Sequence, residues 1–157
     1  MRYVVAASTE RIREACREAL CGLPGVEFRV GSVPETGADC DVAILSFSLA
    51  HERYGGTPQI GVAQALVNTR GDGAPSIIMA TPPAPPQTSA TSGRDSEIER
   101  HVFHVLNSCV AEFLNTFPER GGSSKILVHL EAAGIDRKDI AAPLKGVLKF
   151  LSQARPL

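Results

Sequence analysis

Short apolar runs alternate along this chain with stretches whose apolar residues recur every three or four positions. That alternation of a strand period with a helix period constrains the fold more than any other feature. Residues 3–7 are an apolar run fit for a buried strand. From Thr9 the period changes. Ile12, Ala15, Cys16, Ala19 and Leu20 make one helical stripe, with Glu10, Arg11, Arg13, Glu14, Arg17 and Glu18 off it, until Gly22, Pro24 and Gly25 stop it. Val26, Phe28 and Val30 alternate with Glu27 and Arg29, the pattern of a half-exposed edge strand. Residues 41–47 are denser and read as a central strand. Thr57 and Pro58 read as the cap and first residue of a helix running to about Arg70, where Gly71 and Gly73 end it. Residues 76–80 are a further buried strand, and 125–130 the last. Between them the longest helix starts at Asp95 or Ser96, carries Ile98, Val102, Leu106, Cys109, Phe113 and Phe117, and ends at Pro118 and Gly121. Asp136 caps a final helix with Ile140, Leu144, Val147, Leu148 and Leu151. The order β-α-β-β-α-β-α-β-α predicts an α/β fold, a three-layer α/β/α domain with a mostly parallel central sheet.

A length of 157 residues suits one domain spanning 1–157. Lys and Arg number 16 against 17 for Asp and Glu, a net charge of -1, which argues against holding nucleic acid or an acidic membrane by bulk charge. No apolar run approaches the roughly 20 residues that span a bilayer. The opening residues read as a strand and not as a signal peptide, so a cytoplasmic location is expected. Cys16, Cys21, Cys40 and Cys109 contain no C-x-x-C pair and read as reduced packing residues, with no metal and no cofactor expected. Glu97, His101 and His104 share one helical side, and a solvated face accounts for them better than a metal site does.

In open α/β sheets ligands collect beyond the carboxyl ends of the strands. Residues 31–39, 46–57, 81–94 and 131–136 occupy those ends in this reading. Residues 81–94 are rich in Pro, Ser and Thr and read as an irregular loop, with 82–94 as a third wall of the pocket. Gly55 and Gly56 precede the expected helix start at Thr57, where backbone N–H groups favour an anionic oxygen; a tight connection explains the same glycines without a ligand. Ser46 and Ser48 lie near His51, but no G-x-S-x-G elbow is present, and His51 and Glu52 are the only catalytic candidates. His129, inside an apolar run, reads as a hydrogen-bonded core residue.

The stretch from Val30 through Ala63 resembles the macro domain, whose members bind ADP-ribose and related nucleotides. The matching positions are Gly31, Ser32 and Val33 after one strand, residues 41–48 through the next, Tyr54, Gly55 and Gly56, and then Gly61, Val62 and Ala63. Residues 129–136 stand where the family has its second phosphate loop, and the likeness in element order extends from about Val26 to the C-terminus. The resemblance implies a small-molecule ligand of ADP-ribose type, touched by Ser32, Val33, Ser46, Ser48, Tyr54, Gly55, Gly56, Thr57, Gly134 and Ile135. In that picture Gly55, Gly56 and Gly134 offer backbone N–H groups, and Tyr54 a ring for stacking. Ser32 stands at the family's acidic position, serines replace its Asn, and Gly134 is a single glycine where several are usual. The resemblance therefore implies a binding module with a reworked pocket in preference to a hydrolase. An enzyme is the alternative: residues 56–66 are similar to nucleoside deoxyribosyltransferase-like proteins, although Gln59 stands at their catalytic Glu and Glu52 is the only neighbouring carboxylate. A further alternative is an interaction protein that forms a homodimer through an exposed apolar helix face.

Overall fold

The computed structural model describes residues 1–83, 95–135 and 140–153. The chain runs β1 (Arg2–Ala7), α1 (Glu10–Ala19), β2 (Val26–Val30), α2 (Val33–Gly37), β3 (Val42–Leu45), α3 (Phe47–Tyr54), β4 (Gln64–Val67), β5 (Ile77–Ala80), α4 (Asp95–Thr116), a 3-10 turn at Pro118–Arg120, β6 (Lys125–His129) and α5 (Ala141–Gln153). The strands form one six-stranded sheet in the order β2-β1-β6-β3-β5-β4, and every pairing is parallel except that of β4 with β5. This is an α/β fold with a mostly parallel sheet. No helix among the described residues is long and apolar enough to cross a membrane.

The central strands are apolar through their middles because both of their faces are buried. Tyr3, Val5, Val42, Ile44, Ile77, Met79, Ile126 and Val128 feed one cluster, closed by Cys16 and Leu20 of α1, Val102, Leu106 and Phe113 of α4, and Val147 and Leu151 of α5. The alternate residues Val4, Ala6, Ala43, Leu45, Ile78, Ala80 and Leu127 feed a second cluster, closed by Ala50 and Leu49 of α3 and Val33 of α2. Helices therefore pack on both faces. The edge strand β2 carries Glu27 and Arg29, as its alternating pattern requires. Arg29 pairs with Glu27 and, at 2.6 Å, with Asp39, while Lys125 reaches Asp39 at 2.8 Å and Glu27 at 3.2 Å. All four cysteines are free; Cys16, Cys40 and Cys109 are buried and Cys21 is exposed. Burial pushes the Cys16 and Cys109 thiols up to about 12, which leaves them unreactive at neutral pH.

The structure corrects the sequence reading between β3 and β5. No helix follows Thr57 and Pro58. The crossover helix is α3, which starts eleven residues earlier at Phe47 under the cap of Ser46, and the apolar residues near 62–67 supply the antiparallel edge strand β4. Gly61, within the expected helix, adopts φ of +77°, and Gly55 and Gly56 ahead of it adopt +88° and +80°, so the chain turns where the helix was expected to begin. Helix α2 was also unforeseen. Its start is a capping box, in which the Ser32 hydroxyl accepts from the Glu35 N–H and the Glu35 carboxylate accepts from the Ser32 N–H, with Pro34 in the first turn. The expected cap at Asp136 and residues 84–94 of the Pro-rich wall lie outside the described residues.

Helices α4 and α5 cross closely at Gly146. A Cβ added there would lie 2.6 Å from the Glu99 carbonyl oxygen and 2.8 Å from Val102 Cβ. Helix propensity alone favours alanine over glycine by about 1 kcal/mol. The backbone contact outweighs it, and Gly146→Ala is expected to lose about 1–3 kcal/mol of stability in chemical denaturation.

Candidate functional site

Strand β3 lies between β6 and β5, and its chain leaves the sheet toward the opposite face from theirs. The chain after β3 enters α3 on one face, whereas the chains after β5 and β6 enter α4 and α5 on the other. Neighbouring connections that part to opposite faces open a crevice at the carboxyl end of the strand between them. A cavity of about 200 Å³ sits there, lined by Ser46 and Phe47 at the start of α3, Thr81 and Pro82 after β5, His101, Val102 and Val105 of α4, and Ala133, Gly134 and Ile135 after β6.

Ser46 ties these walls together. Its N–H donates to the Ala132 carbonyl at 2.7 Å, its hydroxyl accepts from the Leu49 N–H at 3.4 Å, and its carbonyl accepts from the Ala50 N–H at 2.9 Å. Thr81 is the companion anchor. Its N–H donates to the Leu45 carbonyl, and its hydroxyl oxygen accepts from the Phe47 N–H, both at 3.0 Å. The turn after β6 is internally closed. Ala132 donates to His129 Nδ1 at 3.3 Å, Ala133 to the His129 carbonyl at 2.8 Å, Gly134 to the Glu131 carbonyl at 3.1 Å and Ile135 to the Leu130 carbonyl at 3.0 Å. The Gly134 N–H is thus spent inside the turn, which corrects the expectation that it offers a donor to phosphate. Glycine is needed there for another reason: its φ is +73°, and a Cβ would stand 3.3 Å from Ser46 Cβ.

His101 is half-buried, and burial followed by the neighbouring His104 lowers its pKa, so its imidazole is neutral at physiological pH. Among the described residues, Ser46, Thr81 and His101 are the polar side chains of an otherwise apolar lining that includes no Lys or Arg. Among the described residues no group of three His, Cys, Asp or Glu is placed to hold a metal ion. A larger groove of about 510 Å³ between α1 and α5 is open to solvent and walled chiefly by Ala15, Ala19, Leu144 and Leu148. Its polar lining residues, Glu18 and Lys145, are solvent-exposed, so the smaller cavity at the strand ends is the better site.

Of the residues expected at the site, the structure brings Ser46, Gly134 and Ile135 to the cavity. Ser32 and Val33 belong to the cap and packing of α2 instead. Ser48 is exposed in the first turn of α3. Gly55, Gly56 and Thr57 are exposed and line no part of it; Gly56 needs its glycine because a Cβ would meet His51 Nδ1 and Leu66 Cδ2 at 3.1 Å. His51 donates from Nδ1 to the Gly55 carbonyl at 2.9 Å, Glu52 is exposed, and neither reaches the cavity. Tyr54 does not offer a free ring: it packs in the α3-side cluster, and its hydroxyl donates to Asp72 at 2.7 Å. Sequence reading set Thr81 among the strand-end residues and His101 on a solvated helix face without assigning either to the site; outside the cavity lining, it did not foresee that the Ser8 N–H and hydroxyl both donate to Glu131, at 2.8 and 2.9 Å across 123 positions of chain. His129 is buried as expected, its Nε2–H donating to the Gly31 carbonyl at 2.8 Å.

The Tyr54 hydroxyl, with the Asn68 amide and the Ala74 N–H, lowers the Asp72 carboxyl to about 2. A carboxylate depressed in the folded state stabilises it above the unfolded value near 3.8, and that contribution fades as pH falls toward 2. Tyr54→Phe is therefore expected to be less stable than the parent near neutrality, with the gap narrowing in acid. Urea denaturation at several pH values checks this. No protein-family model, curated protein or solved structure matches this chain significantly, so the site rests on its own geometry.

Proposed function

We propose that this chain is a binding module for a nucleotide-type ligand of ADP-ribose kind, with a reworked macro-like pocket at the carboxyl end of β3. Helices on both faces of a mostly parallel sheet accord with a three-layer, macro-like arrangement. The observation that carries the reading is the cavity at the point where connections part, with Ser46, Thr81 and a neutral His101 converging on apolar walls. Hydroxyls and a neutral imidazole suit a sugar ring or base, which is apolar on its faces and polar at its edges. At about 200 Å³ the cavity is smaller than the roughly 300–1,000 Å³ of sites that enclose a whole drug-sized ligand, so it takes one ring of such a molecule. The phosphates stay outside, beside the first turn of α3, which carries no acidic side chain and presents the positive end of its dipole.

Binding is favoured over catalysis because His51 and Glu52, the two catalytic candidates, lie away from the cavity. Titration calorimetry with ADP-ribose, AMP, adenosine, ribose 5-phosphate and inorganic phosphate tests the reading. The ligands with a sugar ring are expected to bind and phosphate alone is not. Val105 is buried in the cavity wall, and Val105→Phe fills the space. Its melting temperature is expected to hold while affinity drops at least about tenfold, or 1.4 kcal/mol. Undiminished affinity in that variant overturns the assignment.

A further inference from the structure

The two edges of the sheet are built differently. At one edge, β2 displays Glu27 and Arg29, locked with Asp39 and Lys125, and such charges keep an edge from pairing with another strand. At the other edge, β4 carries no charged side chain. Residues 59–69 contain no charged residue and no proline, and Ile60, Val62 and Val67 of this stretch are 63%, 42% and 65% exposed. Strand β4 pairs only with β5 among the described residues.

The ladder fixes which backbone groups of β4 look outward. The Asn68 N–H donates to the Ser76 carbonyl at 2.8 Å, next to the registered pairs Val67 with Ile77, Leu66 with Ile78 and Ala65 with Met79. Hydrogen-bonded and non-bonded pairs alternate along an antiparallel ladder. Gln64 and Leu66 therefore spend their N–H and C=O groups on β5, and Ala65 and Val67 turn theirs away from the sheet. These outward residues flank Leu66 symmetrically.

We infer that two copies of this chain pair through β4, antiparallel, about a two-fold axis at Leu66, to form one continuous sheet. The geometry closes on itself: Ala65 of one copy exchanges backbone hydrogen bonds with Val67 of the second copy, and Val67 with Ala65. Leu66 meets Leu66 across the axis on the α3 face. Because the segment is uncharged, identical strands meet without like-charge repulsion, and the same exposed side chains that would suffer in water are shared across the junction. The β2 edge excludes the competing mode, in which sheets add edge to edge without limit. This inference concerns a surface separate from the cavity and stands or falls independently of the proposed ligand.

The test uses the full chain in sedimentation velocity and light scattering across a concentration series. The parent is expected to be a dimer at high concentration. Val67→Pro removes an N–H that the monomer does not use, so the fold is expected to survive while the dimer weakens at least about tenfold. Val67→Lys, which keeps the backbone donor but sets like charges beside the axis, is expected to weaken it as well and decides the matter if the proline variant fails to fold. Slowed amide exchange at Ala65 and Val67 as concentration rises supports the pairing. A parent that stays monomeric overturns it. So does a dimer that persists in the lysine variant, or one that Leu148→Glu in the α1–α5 groove abolishes while the Val67 variants leave it intact.

Discussion

Parallel strands cannot be joined by tight turns, so each connection must carry the chain back past the sheet on one face or the other. The structure of this protein follows from how those choices fall around β3. Its own crossover takes the α3 face, and those of its neighbours β5 and β6 take the opposite one. The chain ends parting there leave a space that no backbone can fill. Ser46 and Thr81 brace that space from within the protein, one by holding Ala132 and the other by holding the start of α3. Both side chains are committed to backbone groups and still border the cavity, so the polar character of the site comes from groups already fixed in place. Preorganised groups of this kind bind without an ordering cost.

The parts of the fold legible in the sequence are those whose environment is uniform. Strands β1, β3, β5 and β6 are buried on both faces and show as apolar runs flanked by polar residues such as Arg2, Lys125 and His129, and β2 shows its edge position through Glu27 and Arg29. The α3–β4 region was misread because two signals conflicted. Thr57 and Pro58 make a sound helix start in isolation, but Gly61, inside the expected helix, takes a positive φ, and the apolar residues that follow find β5. Ser32 and Glu35 spell out a capping box that the sequence does contain, at a spacing read instead for its place in a family pattern. Local chemistry there outweighed resemblance.

The site was legible only in part, for a reason of distance along the chain. Ser46 and Gly134 could be found because each ends a recognisable strand or turn. Thr81 and His101 belong to the same cavity through contacts made across long separations, such as that of Phe47 with Thr81, and no periodicity records them. Tyr54 shows the converse error. Its aromatic ring suggests stacking, yet its environment is a turn held by Asp72 and Asn68, where the hydroxyl is a fastener between α3 and the β4–β5 connection.

The close crossing of α4 and α5 has a bearing on the cavity as well as on stability. Val102, against which Gly146 presses, is also a wall of the cavity, and Glu99 and His101 stand on either side of its turn of helix. A smaller residue than glycine does not exist, so α4 already sits as near to α5 as a helix can. The depth of the cavity is consequently set from behind, by a position that never meets its contents. Any change that lets α4 drift outward would enlarge the chamber without touching a single residue on its inner surface.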